Sequence, residues 1–127
     1  MKALALLILV FAATIPVMAD DDGPKAAATQ RDQCRFYLAH ATDRLMSGNI
    51  CEAYTRGVKD EMAGEVSLDA NHKPVTGVWR DGVTTDQVVR VFMQYLDKNP
   101  AQLNKPAATA IRQSAETSGI YTYSPAQ

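Results

Sequence analysis

The sequence has 127 residues, a formal net charge of −1 and two cysteines. This length supports one domain with one core. The small net charge, without any basic cluster, disfavours nucleic acid as a partner. Beyond the first 19 residues, no segment is apolar for long enough to span a membrane.

The first 19 residues have the pattern of a secretory signal peptide. Lys2 provides a positive start, and residues 3–15 form an apolar run that is too short to span a bilayer. Small residues at the end of this segment predict cleavage after Ala19. We therefore expect an exported, periplasmic protein whose mature chain begins at Asp20.

Residues 20–30, DDDGPKAAATQ, show no hydrophobic period and are expected to form a flexible leader. The folded domain would then cover residues 31–127. A first helix is predicted from Arg31 to Ser47, where Gly48 suits a left-handed C-cap. Its apolar stripe consists of Cys34, Leu38, Ala41 and Leu45.

A second helix is predicted from Asn49 to Met62. Asn49 suits the N-cap, and Glu52 three residues later completes a capping-box pattern. An interior glycine costs about 1 kcal/mol relative to alanine, so Gly57 predicts the close approach of a neighbouring helix. The predicted apolar stripe consists of Ile50, Tyr54, Val58 and Met62.

Cys34 and Cys51 are the only cysteines, and in an exported chain such a pair favours a disulfide. The alternatives are a catalytic thiol and a metal site. Both need neighbours that the sequence lacks, because there is no CxxC motif and neither histidine lies at ligand spacing from a cysteine. A short turn would make the first two helices antiparallel. The bridge then requires an oblique crossing or a broken first helix, since a strict hairpin separates the two cysteines.

The segment Gly64–Gly82 has no sustained hydrophobic period and predicts a long loop, with at most a short strand or hairpin piece around Pro74–Trp79. Loops of this length in small domains are usually functional or mobile. Trp79 is the only tryptophan. It either covers an edge of the core or anchors a partner.

A third helix has the clearest start and stop signals in the chain. Thr84 and Gln87 form a second capping-box pattern, and Asn99–Pro100 ends the helix. Its apolar face consists of Val88, Val91, Phe92, Tyr95 and Leu96.

A fourth helix is predicted from near Asn104 to Gly119, with Pro106 in its first turn. The tail is aromatic and then polar, so we expect Ile120, Tyr121 or Tyr123 to dock on the core. The predicted fold class is therefore all-α: a small bundle of about four helices, with one long loop between helices 2 and 3 and one disulfide.

The residue constellations of an enzyme are missing from the sequence. His40 is predicted in a helix and His72 in a polar loop, and both are interpreted as solvated or hydrogen-bonded. Asp60 and Glu61 are neighbours on a helix and point to different sides, so they do not form an acid–base pair. No glycine motif for phosphate binding is present. We expect no catalytic residue, no metal and no cofactor.

Two stretches carry a family resemblance. CEAYTRGVKD, from Cys51 to Asp60, resembles the C-x-G-Y-x-x-G-V-x-D motif of the periplasmic immunity proteins that protect type VI secreting bacteria from cell-wall amidase effectors, the Tai and Rap type. DGVTTDQVVRVFMQYLDKNP, residues 81–100, together with the P-A-A at 106–108, resembles that family's G-V-T-x-x-Q, Y-L and P-A-A pattern. The second cysteine pair that family members often carry is missing, as expected for a divergent member. The matched positions that we interpret as structural are Tyr54, Gly57, Asp60, Thr84, Gln87, Tyr95 and Pro100.

The resemblance implies a small helical, often dimeric protein that binds a secreted peptidoglycan amidase and plugs its active-site cleft. We expect the loop from Ser67 to Arg80 to form the contact surface. His72, Trp79 and Arg80 are the candidate anchors, because aromatic and arginine side chains dominate interface energetics. The structural alternative is that this loop only caps the core.

A function of a different class is a periplasmic holdase, a stress chaperone of the small single-disulfide helical type. Such a chaperone opens at low pH as its carboxylates become protonated. The modest acidic excess and the two histidines give little sign of an acid trigger.

Overall fold

The computed structural model describes residues 24–40 and 47–126, without the side chains of residues 47–49. The predicted signal peptide, residues 1–19, lies outside these ranges. Within them, no helix is long and apolar enough to cross a membrane. The elements in chain order are α1 (Ala27–Ala39), α2 (Ser47–Met62), β1 (Val66–Leu68), β2 (Pro74–Trp79), α3 (Thr85–Lys98), a 3-10 helix (Pro100–Asn104), α4 (Ala107–Ser118) and β3 (Tyr121–Pro125).

The three strands show that the predicted all-α class is wrong. They form an antiparallel sheet in the order β1-β2-β3, in which Ser67 pairs with Val75 and Trp79 pairs with Tyr121. Most of the predicted long loop is a β-hairpin, and the predicted docking tail is an edge strand. The fold therefore combines a helical layer with a small sheet.

The core lies between the four helices and the inner face of the sheet. Buried apolar side chains from α1, α2, α3, α4 and β3 form one cluster, so the described chain has a single core. The largest fully buried apolar side chains are Tyr121, Phe92, Met62, Leu96, Ile111, Val88 and Val89.

The first helix is shorter than predicted and lies earlier in the chain. It begins at Ala27 rather than Arg31, so the last four residues of the expected leader are helical. The main-chain N–H of Ala27 donates to the Lys105 carbonyl over 2.8 Å, and that of Ala107 donates to the Lys25 carbonyl over 2.6 Å. These bonds satisfy N-terminal donors of α1 and α4 and join the starts of the two helices. The predicted stripe positions Ala41 and Leu45 lie outside the described residues.

The predicted disulfide between Cys34 and Cys51 is confirmed, with an Sγ–Sγ distance of 2.10 Å. Cys34 lies near the end of α1, and Cys51 lies near the start of α2. Gln30 lies one turn before Cys34, and Thr55 lies one turn after Cys51. The Gln30 side chain donates to the Thr55 hydroxyl over 3.2 Å, so the two helices are antiparallel. The disulfide and an antiparallel helix pair are compatible because α1 ends at Ala39, which places Cys34 near the end of the helix.

The buried face of α2 is rotated from the predicted one. The helix begins at Ser47, so Asn49 lies inside it and is not the N-cap. Ile50, predicted to be buried, is 46% exposed. The disulfide turns the neighbouring position inward, and the buried residues are Cys51, Thr55, Val58 and Met62.

Gly57 does not mark a close helix contact, and that prediction is wrong. The residue is exposed, and a Cβ added to it would have no neighbouring atom within 4 Å. Among the glycines whose surroundings the structure describes, packing excludes a side chain at Gly77 in β2. A Cβ there would lie 1.6 Å from the hydroxyl oxygen of Tyr121.

The third helix follows the prediction closely. The Thr84 hydroxyl accepts from the Gln87 N–H over 3.2 Å, and the Gln87 side chain accepts from the Thr84 N–H over 3.0 Å, which confirms the capping box. The fourth helix begins later than predicted, at Ala107, because a 3-10 helix occupies residues 100–104. Gly119 ends it in the left-handed conformation, with φ 76°.

Candidate functional site

The outer face of the sheet exposes a cluster of apolar side chains. Side chains alternate along a strand, so the register places Val66 and Leu68 of β1 on the same face as Pro74 and Val78 of β2. Val66 is 67% exposed, Leu68 62% and Val78 43%. Thr76, Thr122 and Ser124 lie on the same face by this register, so the face is mixed, and its exposed apolar side chains favour a protein contact. We call the four apolar residues the outer face.

The edge of the sheet at β1 is open within the described part of the chain. The Gly77 N–H donates to the Glu65 carbonyl over 2.7 Å, and the Asp69 N–H donates to the Lys73 carbonyl over 2.9 Å. This antiparallel alternation directs the main-chain groups of Val66 and Leu68 away from β2. Apolar side chains and unpaired main-chain groups therefore occur together on one edge.

The tip of the hairpin, Asp69–Lys73, is closed by hydrogen bonds of the Asp69 main chain and of its carboxylate. Oδ1 of Asp69 accepts from the main-chain N–H of Asn71 over 2.8 Å and from that of Lys73 over 2.9 Å. His72 has φ 60°, a left-handed conformation that costs a residue with a Cβ about 1–2 kcal/mol. Such residues cluster at functional sites, and His72 is exposed at the end of the hairpin.

Trp79 joins the base of the hairpin to the helical layer. Its indole N–H donates to the Lys59 carbonyl of α2 over 2.9 Å. The Tyr121 ring lies at 4.9 Å and the Lys59 ammonium at 5.6 Å from the Trp79 ring. The side chain is only partly buried, so it covers an edge of the core while leaving part of its ring at the surface.

The three predicted anchors do not form one cluster. Trp79 faces the helices, whereas Arg80 is exposed and, by alternation, follows Val78 on the opposite side of the sheet. The main-chain N–H of Arg80 donates to the Ile120 carbonyl over 2.8 Å. His72 lies at the other end of β2, and six strand residues span about 20 Å. Arg80 and His72 therefore lie at the two ends of the outer face.

An ion pair connects the base of the hairpin to α4. The Arg112 guanidinium donates to the Glu65 carboxylate. Burial alone would lower the pKa of Arg112, but the hydrogen bonds and charges of Glu65 and Tyr123 together outweigh it and raise that pKa. Both side chains are partly exposed, so the pair fixes orientation more than it adds stability.

The seven family-motif positions are dispersed over the scaffold. The Tyr95 hydroxyl donates to the Gln113 side chain over 3.1 Å, and the Lys25 ammonium lies 4.5 Å from the Tyr54 ring centre. Pro100 begins the 3-10 helix, and Asp60 is exposed on α2. The capping box joins Thr84 and Gln87, and the structural interpretation of the seven motif positions as a set stays a prediction.

Sequence reasoning missed the buried side chain of Gln30, which it placed at the end of the leader. The Gln30 amide nitrogen donates to the Cys51 carbonyl over 3.1 Å, and its oxygen accepts from the Lys25 ammonium over 3.2 Å. The signal was its spacing, because Gln30 lies four residues before Cys34 and so on the same helix face. This network supports the disulfide and is distant from the hairpin.

No group of His, Cys, Asp and Glu side chains in the described residues is arranged to hold a metal ion. The ring of His40 stacks on Phe36 with centroids 4.0 Å apart, and its Nδ1 lies 2.9 Å from the Phe36 carbonyl oxygen. His40 caps the C-terminal end of α1, whereas His72 is at the hairpin tip.

The family model described as Rap1a immunity proteins matches residues 17–118, which is most of the chain. The chain belongs to the Rap1a immunity protein family. This confirms the resemblance and indicates an immunity function directed against a secreted effector protein. The matched residues of this Rap1a family member include all four helices and the β1–β2 hairpin, whereas β3 lies beyond them. No curated protein and no solved structure shows significant similarity to it.

Proposed function

We propose that this protein is a periplasmic immunity protein that binds and inhibits a secreted peptidoglycan-degrading amidase. The observation that carries the proposal is the β1–β2 hairpin. It has an ordered tip and an exposed apolar face, on a chain whose family acts against secreted effectors. A preformed projection loses little conformational entropy on binding, so its contacts convert efficiently into affinity.

The proposed contact surface is the outer face with His72 and Arg80 at its two ends. Apolar side chains at the centre of an interface provide buried area, while arginine and aromatic residues act as anchors. Trp79 remains a proposed anchor through the exposed part of its ring. Because it also holds β2 to α2, its contribution must be separated from folding.

The direct test is inhibition of purified exported peptidoglycan amidases from the source organism. Each is assayed on purified peptidoglycan with and without the oxidised protein, and binding is measured by calorimetry. We expect one amidase to be inhibited with 1:1 stoichiometry per chain. Absence of inhibition across the exported amidases would refute the amidase assignment and leave the coarser immunity function to be tested with other effector classes.

Surface variants locate the contact. We expect Leu68→Ser with Val78→Ser to weaken amidase binding by at least tenfold, because both side chains leave the apolar centre of the interface. The matched control is Phe36→Ser with Ile50→Ser, which removes comparably exposed apolar side chains from α1 and α2. Equal effects of the two double variants would contradict the outer-face assignment.

The anchors are tested individually. His72→Ala and Arg80→Ala remove side chains that are exposed in the free protein, so lost affinity without lost stability would support them. Trp79→Phe removes the indole N–H, and its melting temperature must be measured beside its affinity. Deleting the whole hairpin is uninformative, because β2 is the central strand of the sheet.

Export and association are proposals of their own. Cell fractionation and N-terminal sequencing should give a periplasmic protein beginning at Asp20, and sedimentation should show whether two copies form the dimer that the resemblance implies.

The exposed outer face would also suit the alternative holdase function. Client aggregation assays from about pH 2 to pH 7, the range in which carboxylates titrate, test this: protection that appears only in acid would favour the holdase.

A further inference from the structure

We propose that the open edge of β1 binds an extended segment of the effector as a fourth strand of the sheet. The segment runs antiparallel to β1, hydrogen-bonds to the main chain of Val66 and Leu68, and carries apolar side chains beside theirs. This mode of binding rests on the proposed function in that the partner is taken to be the effector. It adds to that function the backbone conformation of the bound segment and the main-chain groups that bind it.

The main chain of β1 has a regular set of donors and acceptors on its free side. In the described part of the chain β1 pairs only with β2, and Glu65 and Asp69 make main-chain hydrogen bonds across the hairpin. Because the direction of the main-chain groups alternates along a strand, the N–H and carbonyl groups of Val66 and Leu68 point away from β2. Two residues of an antiparallel strand can each exchange a pair of hydrogen bonds with this edge.

The opposite edge of the sheet, at β3, is protected against such pairing. The Ala126 N–H donates to the Pro74 carbonyl, so the alternation directs the main-chain groups of Tyr121, Tyr123 and Pro125 away from β2. Proline has no N–H, and natural proteins place it on edge strands to prevent pairing. Strand β1, with the sequence VSL, contains neither proline nor a charged residue. Only the β1 edge therefore offers a complete set of main-chain partners in the described sheet.

The side chains at this edge select the kind of strand that binds. Val66 is 67% exposed and Leu68 62% exposed, and both belong to the outer face. Directly opposed residues of antiparallel strands have Cβ atoms about 4.5–5.5 Å apart, so two apolar side chains of the bound strand would pack on these two residues. The residue between them would lie on the side of Ser67, which is exposed and polar. Main-chain bonds supply affinity in this mode of binding, and alternate side chains supply specificity.

A second copy of the chain is the less suitable occupant. Two β1 strands could pair symmetrically, but each has only three residues, and pairing edge to edge leaves both outer faces uncovered. A stable interface uses roughly 20–30 residues a side and buries about 800 Å² per partner. A strand of the effector is part of a larger body that can cover the outer face at the same time. It can therefore bury the area that self-pairing of β1 leaves exposed.

The first probe is the capped peptide acetyl-Lys-Val-Thr-Val-Lys-amide, titrated into the full chain and followed by NMR. In the proposed register its two valines lie opposite Leu68 and Val66, and their N–H groups point at β1. We expect saturable chemical-shift changes at the amides of Val66 and Leu68, and at least tenfold slower hydrogen exchange of these amides at saturation.

Backbone methylation of the peptide separates strand addition from side-chain contact. N-methylation of both valines removes the N–H groups that face β1, and this analogue should not bind. The matched control is N-methylated at the threonine and the second lysine, whose N–H groups point away from β1, and it should bind. Failure of the unmodified peptide to bind, or equal loss of binding by the two methylated peptides, would overturn strand addition whatever the amidase assays show.

A pair of variants at one position tests the same edge from the protein side. Leu68→Pro removes an outward N–H, and proline is tolerated on an edge strand where the nitrogen faces solvent. Leu68→Ala shortens the side chain but keeps that N–H. We expect the proline variant to bind the peptide at least tenfold more weakly than the alanine variant, with circular dichroism and melting temperature verifying that both are folded. Equal binding by two folded variants would contradict a main-chain contact.

The second probe is the amidase identified by inhibition. In its complex with the wild type, the amides of Val66 and Leu68 should exchange at least a hundredfold more slowly than in the free chain. Unchanged exchange would overturn the edge as an effector contact, while leaving the proposed function intact. Peptide binding without any inhibited amidase would support strand addition and refute the amidase assignment, so the two failures are distinguishable. Slow exchange of both amides in the free chain would overturn the effector as occupant, and its dependence on protein concentration would identify a second copy.

Discussion

The Tyr121 hydroxyl donates to the Met62 main-chain carbonyl over 2.7 Å. Met62 is the last residue of α2, and Tyr121 is the first residue of β3. One buried hydrogen bond therefore connects the end of the disulfide-linked helix pair to the edge of the sheet. Together with the Trp79–Lys59 hydrogen bond and the Arg112–Glu65 ion pair, this contact holds the sheet against the helices.

Gly77→Ala should destabilise the protein by about 1–3 kcal/mol, the usual cost of forcing an extra carbon into a packed site. The new Cβ would lie 1.6 Å from the Tyr121 hydroxyl oxygen and 2.4 Å from its Cζ, and this buried ring cannot retreat without losing its bond to Met62. Urea unfolding followed by Trp79 fluorescence measures the change.

Gly57→Ala is the matched control, because its Cβ has open space around it. Replacing an interior helix glycine with alanine should raise the free energy of unfolding by up to about 1 kcal/mol. Opposite signs for the two substitutions are expected. A Gly77→Ala protein as stable as the wild type would contradict the position of the Tyr121 ring.

Alkaline pH should weaken the fold through Tyr121. Burial, reinforced by the charges of Tyr123 and Glu65, raises the pKa of Tyr121 to about 12, whereas an unfolded tyrosine titrates near pH 10. The neutral phenol is thus favoured in the folded state. Its contribution is complete below about pH 10 and is lost as pH rises from about 10 through 12.

Tyr121→Phe provides the comparison. It should lose about 1 kcal/mol at neutral pH, because the Met62 carbonyl loses its donor, and its free energy of unfolding should fall less steeply between about pH 10 and 12. Parallel pH curves for the two proteins would show that another group causes the alkaline loss.

Removing the disulfide should cost about 3 kcal/mol, because the bridge joins residues with a sequence separation of 17 and so closes a loop in the unfolded chain. The variant is Cys34→Ala with Cys51→Ala, studied by chemical unfolding. A reducing agent should destabilise the wild type by a similar amount and leave the double variant unchanged. Insensitivity of the wild type to full reduction would contradict a stabilising bridge.

His72→Gly should stabilise the hairpin by about 0.5–1 kcal/mol. Glycine adopts φ 60° without the steric cost paid by a residue with a Cβ, and part of this gain is offset by the larger backbone freedom of glycine in the unfolded chain. Ala70→Gly is the control in the same turn. Residue 70 has no positive φ, so this change should destabilise.

The helical part of the fold was predictable where signals are local. The capping box at Thr84 and Gln87, the stop at Asn99–Pro100 and the Cys34–Cys51 bridge all follow from spacing and compartment. The predicted helix limits were wrong where two sequence signals competed. The Ser47–Gly48 pair suggests a helix end but lies inside α2, and the apolar stripe assigned to Ile50 is displaced because the disulfide orients Cys51 inward.

The sheet and the site were less predictable because their contacts join distant parts of the chain. Strand β3 is recognisable only by its pairing with β2, since Tyr121 and Trp79 are far apart in sequence. The need for glycine at position 77 likewise comes from a distant residue, because the Tyr121 ring occupies the space of a Cβ there. Composition predicts the contact range Ser67–Arg80, but the strand register and the exposure of Leu68 and Val78 on one face depend on tertiary structure.

The bridge between Ala26 and Pro106 has a practical consequence for immobilisation. It places the start of α1 at the N-terminal end of α4, about 18 Å of helix away from β3. Ala126, by contrast, donates its N–H to the Pro74 carbonyl at the hairpin. An affinity tag or dye attached ahead of Pro24 therefore lies far from the outer face. The same label after Ala126 would lie close to the outer face and could block binding sterically. For biosensor measurements, the protein should accordingly be immobilised through its N-terminal end.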